Sequence, residues 1–207
     1  IHMKQSKTML EGSEWKLILL FTLPLMAGNL LQQLYNTVDG IVVGNFVGET
    51  ALAAVGTCAP LTMLFTAIAL GMSNGAAVVV SQFYGAGRMN EMKKAVASSL
   101  ILLFGMGVVL SILGCVLSGW LLRVVLGVQE YLLPQAELYF RIYAIGLLAQ
   151  FIYNIVAAIL RSMGDSRATL YFLLVSAVCN ILLDMLAVIA LGWGVMGVAV
   201  ATVVSQI

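Results

Sequence analysis

The chain has 207 residues, of which 62% are apolar and only 9% carry a formal charge, 10 Lys and Arg against 9 Asp and Glu. A soluble domain carries about 25% charged residues, and a net charge of +1 cannot supply the basic patch of a nucleic-acid binder. A mean hydropathy of +1.06 excludes disorder, and three cysteines are too few for a disulfide scaffold, which leaves a polytopic membrane protein, read as all-α from the helix-length apolar runs below.

The chain opens Ile1-His2-Met3, which reads as a tag remnant before an initiator methionine, so residues 1–14 are assigned to that remnant and a cytoplasmic N-terminal segment. His2 is the only histidine, so no other is available for a general base, a triad or a metal site. The first apolar run, about 15–38, carries Asn29, Gln32, Gln33, Asn36 and Asp39 at three- and four-residue spacing, one polar helical face. Pro24 inside it should kink or unwind the helix.

The second run, about 50–82, holds Pro60 and is too long for one straight helix, with a bend or a small-residue contact expected at Gly71–Gly75. A third run covers about 95–119. Pro134 suits the first turn of the fourth, about 135–160, whose Tyr139, Tyr143, Gln150 and Asn154 form another stripe. The fifth, about 168–191, carries Ser176, Asn180 and Asp184 at four-residue intervals. A sixth begins near Gly194, and its residues to 207 cover only about 21 Å as helix against a hydrocarbon core of about 30 Å. The expectation is a six-helix bundle whose sixth helix is truncated.

Cys58, Cys115 and Cys179 lie apart in apolar runs and read as packing residues. Gly192-Trp193-Gly194-Val195-Met196-Gly197 matches GxGxxG, but a membrane-length helix precedes it where a strand belongs, so a tight turn is expected. No GxSxG, HExxH or P-loop occurs, and the chain is read as no enzyme.

Lys4, Lys7, Lys16, Arg88, Lys93, Lys94, Arg161 and Arg167 fall on one side of six alternating spans, and only Arg123 and Arg141 on the other. The positive-inside rule then makes the N-terminus cytoplasmic, with Trp15 at the inner interface and Trp120 and Trp193 at the outer one. In that topology Asp39, Asp184 and Thr202 share a depth of roughly 8–11 Å below the outer surface, with Asn180 one turn deeper. Oxygen donors of this kind bind a hard cation, and a desolvated carboxylate pair binds protons. Each residue also has a plainer reading: Asp39 as a polar residue at a helix end, Asn180 and Thr202 as interhelical hydrogen-bond formers, the fourth-helix stripe as packing.

Taken together, Leu23-Pro24-Leu25, Gln33 through Asp39, Val43-Gly44, Gly48, Ala51 through Gly56, Ser81 through Gly87, Arg161 through Arg167, Asn180 through Asp184, and Gly192, Gly194, Gly197, Ala201 and Thr202 resemble the first lobe of prokaryotic MATE (multidrug and toxic compound extrusion) transporters. The resemblance implies one lobe of a twelve-helix, pseudo-twofold transporter working by alternating access, with a C-terminal lobe as the missing partner. It implies export of small cationic amphipathic drugs from the inner (plasma) membrane in exchange for H+ or Na+, with no other cofactor and no nucleic acid. Position by position it places the coupling ion, Na+ included, at Asp39, Asn180, Asp184 and Thr202, a helix bend at Pro24, and cavity lining at Gln33, Asn36, Tyr139, Tyr143, Gln150 and Asn154. Met185 and Thr169 stand where the family often has proline. The rivals are a lipid-linked oligosaccharide flippase, which needs a cationic cavity, and an inactive single-lobe fragment.

Overall fold

The computed structural model describes residues 14–206, and among them every regular element is helical. The N-terminal segment 1–14, apart from the helical backbone at Glu14, and Ile207 lie outside the described residues. Six α-helices follow in order: α1 (Glu14–Val42), α2 (Glu49–Gly85), α3 (Met89–Trp120), α4 (Leu133–Ser162), α5 (Ser166–Asp184) and α6 (Gly194–Ser205). Three π-helical turns, Val43–Val47, Leu121–Val125 and Met185–Ala190, continue α1, α3 and α5 respectively. Successive helices alternate in direction, so all three close the same end of the bundle, called here the π-turn end.

The connections are short because each turns on a glycine with positive φ: Gly48, Gly87, Gly127, Gly164 and Gly192. The glycine-rich string makes the expected turn at Gly192 and runs on into α6, where its last member, Gly197, lies so close to Ala187 that an added Cβ would stand 3.0 Å from the alanine methyl. Pro134 sits in the first turn of α4, where no intrahelical N–H is missed. Asp165 caps α5, accepting from the Ala168 N–H at 3.0 Å.

Neither internal proline interrupts its helix. α1 and α2 run as unbroken helix through Pro24 and Pro60, and α2 is continuous across Gly71–Gly75 for all 37 residues, about 55 Å. The changes of helix type fall in the π turns at helix ends, where one extra residue per turn releases the backbone without a proline. Among the described residues four stretches are long and apolar enough to cross a membrane: Glu49–Gly85, Met89–Val125, Leu133–Ser162 and Ala168–Ala190. α1, at 29 residues, also has the length to cross, and α6, at 12 residues, is short.

α4 is the hub: half of its apolar stretch is buried, against 17% for the α3 span. It packs on α2, α3 and α6, while α1 docks on α5 and α5 on α6. One apolar core lies between α2 and α4 at the π-turn end, around Cys58, Phe65, Leu122, Phe140 and Leu147; a second, nearer the opposite end, joins α2, α3 and α4 through Val80, Leu103, Phe151 and Ile155. A third, around Val42, Val43, Val188, Val195 and Val198, gathers the π-turn ends of α1 and α5 onto α6. Outward, Ile101, Val116, Tyr171 and Leu182 stay exposed, as a hydrocarbon solvent requires. Trp120 and Trp193 stand exposed at the π-turn end and Trp15 at the other.

Candidate functional site

The site is built where α1 meets α5. Asp184 is the last α-helical residue before the π turn of α5, and Asp39 lies one turn before that of α1. Asp184 and Asn180 are essentially inaccessible, at 0% and 1% exposure, and Asp39 is half-buried. The Asp39 carboxyl group lies against that of Asp184. Yet Asp39 Oδ1, both Asp184 oxygens and both polar atoms of the Asn180 amide have no hydrogen-bond donor or acceptor from the protein. Two ionised carboxylates can only accept, so they satisfy one another only when a proton or a cation lies between them.

Thr202 is half-buried and donates its hydroxyl to Val198 O at 2.9 Å within its own helix. Ser176 Oγ donates to Ser205 O at 2.6 Å, which fixes the antiparallel register of α5 and α6 together with the Ala187–Gly197 approach. That register sets Thr202 level with Asn180, one turn from Asp184, rather than at the depth of the carboxylates. The four oxygen-bearing residues thus form two tiers, Asp39 with Asp184 and Asn180 with Thr202. Among the described residues no three His, Cys, Asp or Glu side chains cluster, so a cation here would rest on two carboxylates plus neutral oxygens. Tyr139 is the hidden neighbour of this pair: it packs against the valine core of the π-turn end, with its phenol within electrostatic reach of both carboxyl groups.

Towards the opposite end a cleft of about 340 Å³ opens among α1, α2, α4 and α5. Its wall holds Pro24, Gln32 and Tyr35 of α1, Thr66 and Asn74 of α2, Gln150, Tyr153, Asn154 and Arg161 of α4, and Thr169 and Ser176 of α5. The expected lining of Gln150 and Asn154 is therefore present, but Gln33 and Asn36 are not part of it. They point away, exposed, with the Asn36 amide donating to Gln33 Oε1 at 3.4 Å. The α1 polar face is too wide to turn one way: Gln32, Tyr35 and Asp39 face inward, and Gln33 and Asn36 lie 60° to 120° around the helix at about 100° per residue.

Tyr143 is also outside the cleft wall. Its hydroxyl lies 2.8 Å from Thr66 Oγ1 and donates to Gln150 Oε1 at 3.0 Å, while Gln150 Nε2 donates to Thr66 at 3.2 Å and Asn154 Nδ2 to Gln150 O at 2.9 Å. This network stitches α2 to α4. Sequence reasoning missed Tyr35, Thr66, Asn74, Tyr153 and Arg161; the four-residue step from Tyr35 to Asp39 and the eight-residue step from Thr66 to Asn74 were the available signals.

The sequence model of the MatE family matches residues 24–186. The chain belongs to that family. MatE relatives include the probable multidrug resistance proteins YpnP and YoeA of Bacillus subtilis, 32% identical over 95% of this chain and 34% over 94%. The chain spans less than half of either relative, 44% and 43% of their lengths. A solved MATE structure in complex with MaD3S superposes with a TM-score of 0.89 at 31% identity, covering 98% of this chain and 45% of that one. A MOP superfamily transporter from Pyrococcus furiosus gives 0.90 at 31% identity, covering 98% and 44%. Family members are multi-pass membrane transporters, which fits the apolar spans found among the described residues.

Proposed function

We propose that the chain forms one lobe of a secondary antiporter that exports cationic amphipathic drugs or toxins in exchange for H+ or Na+. The observation that carries this reading is the carboxyl pair Asp39–Asp184, in which Asp39 Oδ1 and both Asp184 oxygens are buried without a protein donor. Ionisable groups at membrane depth are costly and mark ion paths. Asp39 and Asp184 hold the proton or Na+, and the Asn180 amide oxygen and the Thr202 hydroxyl add neutral donors one turn away.

Loading from the outer side places one proton or Na+ between the two carboxylates, leaving a single shared negative charge, and removes the repulsion between α1 and α5. α1 also forms one wall of the cleft, from Pro24 to Tyr35. A shift of α1 against α5 therefore changes the cleft, and drug release follows ion entry. Release of the ion on the inner side restores the charged pair. One charge crossing 100 mV supplies about 2.3 kcal/mol for the cycle. The excess of cations at the end opposite the π turns supports a cytoplasmic N-terminus in the plasma membrane. A flippase of anionic lipid-linked sugars has less support, because among the described residues Arg161 is the single cation in the cleft wall.

The test is gradient-driven dye efflux by the intact transporter, in Na+ and Na+-free buffers, for wild type and Asp184→Asn. The variant should lose coupled efflux, and the buffer comparison assigns the ion. Undiminished efflux by Asp184→Asn would overturn the proposal.

A further inference from the structure

Arginine is always charged and demands a partner when it leaves water. Arg88 pairs with Glu91 at 3.1 Å, Arg123 with Glu130 at 3.7 Å, and Arg141 with Glu137. Arg161 is different. It is half-buried, lines the cleft, and among the described residues no carboxylate pairs with it. Its place in the last turn of α4 favours a cation through the helix dipole, but the side chain forms none of the described hydrogen bonds to the terminal carbonyls.

Two donors in the same cleft wall form none of the described side-chain hydrogen bonds. Tyr153 and Asn74 line the same cleft, and neither side chain takes part in the hydrogen bonds that join α2 to α4. At the other end of the cleft is Tyr35, one turn from Asp39. Along α1 the distance from Pro24 to Tyr35 is about 16 Å. The cleft is therefore polarised lengthwise, with a guanidinium at one end and the carboxyl pair just beyond the other.

We infer that the Arg161 end of the cleft is an anion subsite, where the guanidinium, with Tyr153 and Asn74, receives a carboxylate or phosphate of the transported molecule. This rests on the export reading and narrows its substrate class to elongated zwitterionic amphipaths, whose cationic end faces Asp39 and Asp184. A guanidinium binds such oxyanions through two parallel N–H donors, so a lysine in its place keeps the charge but loses the fork.

The probes are a rhodamine methyl ester, a cation, and the same rhodamine with its carboxylate free, a zwitterion, each titrated against the intact protein in detergent by fluorescence polarisation. Wild type should bind the zwitterion more tightly. Arg161→Gln should weaken the zwitterion about tenfold while leaving the ester within about twofold, and Arg161→Lys should fall between. Arg161→Lys also guards against misfolding, since it keeps the cation at the helix end. Equal affinity of wild type for the two dyes, or equal loss of both in Arg161→Gln, overturns the anion subsite while the ester's binding still supports drug export. Failure of both dyes to bind wild type overturns the export reading and the subsite with it. Anionic and neutral detergent mixtures separate the sources of the anion: competition by an anionic lipid alone, with no preference between the dyes, assigns Arg161 to lipid and overturns the substrate role.

Discussion

Two seams run through this bundle, and they treat buried polarity in opposite ways. Between α2 and α4, Tyr143, Thr66, Gln150 and Asn154 close a network in which each group has a partner on its own or the facing helix. Between α1 and α5, Asp39, Asn180 and Asp184 are as deeply placed and have none. A satisfied network fixes two helices in one register, because any slip forfeits several hydrogen bonds at once. An unsatisfied one is costly unless something from outside completes it. The α2–α4 seam is scaffold, and the α1–α5 seam is where occupancy can change the structure.

The sharpest way to break this contrast is at the carboxyl pair. Asp184→Asn should abolish gradient-driven efflux while leaving thermal unfolding in detergent unchanged or raised, because it removes a charge the fold does not use. Adding Asp39→Asn should cost little more, since the two residues act as a unit; additive losses in a double-mutant cycle would show instead that they act separately. Next in size is the scaffold's own packing. A Cβ on Gly146 would run into Val203 of α6, so Gly146→Ala should destabilise by about 1–3 kcal/mol and be rescued by Val203→Ala, read as unfolding midpoints.

Smaller still is Tyr143→Phe, which leaves Thr66 and Gln150 short of a partner and should cost about 1–2 kcal/mol with efflux retained. If efflux falls as steeply as in Asp184→Asn, the α2–α4 seam is not mere scaffold. The least effect belongs to the Asp165 cap, where Asp165→Ala should cost about 1 kcal/mol, visible in unfolding and not in transport.

The order and approximate bounds of the helices, and the placing of Asp39 and Asp184 inside apolar runs, were legible in the sequence, because apolar length and intramembrane charge are one-dimensional signals. What could not be read was angular. Gln32 and Gln33 are neighbours in sequence and both polar, and only packing against α5 decides that Gln32 joins the cleft while Gln33 faces out. Depth estimates for Thr202 failed by a turn for a related reason: the register of α5 on α6 is set by contacts such as Ser176 with Ser205, which spacing along either helix does not contain. Pro24 and Pro60 drew attention away from the π turns, which have no residue signature of their own. Arg161 read as a loop charge because its backbone is at a helix end, although its long side chain turns inward.

Each π turn holds one residue more than the same length of α-helix would need. α1, α3 and α5 therefore carry slack at a common end, a residue that can be taken up without moving the rest of the helix. Deleting one residue from 121–125 should simply tighten α3 into regular α-helix and leave a folded protein, whereas deleting one in mid-helix would swing everything beyond it by about 100° and scramble the core. The slack in α1 and α5 lies directly beside Asp39 and Asp184, so these two helix ends can wind or unwind by a residue without dragging the bundle with them.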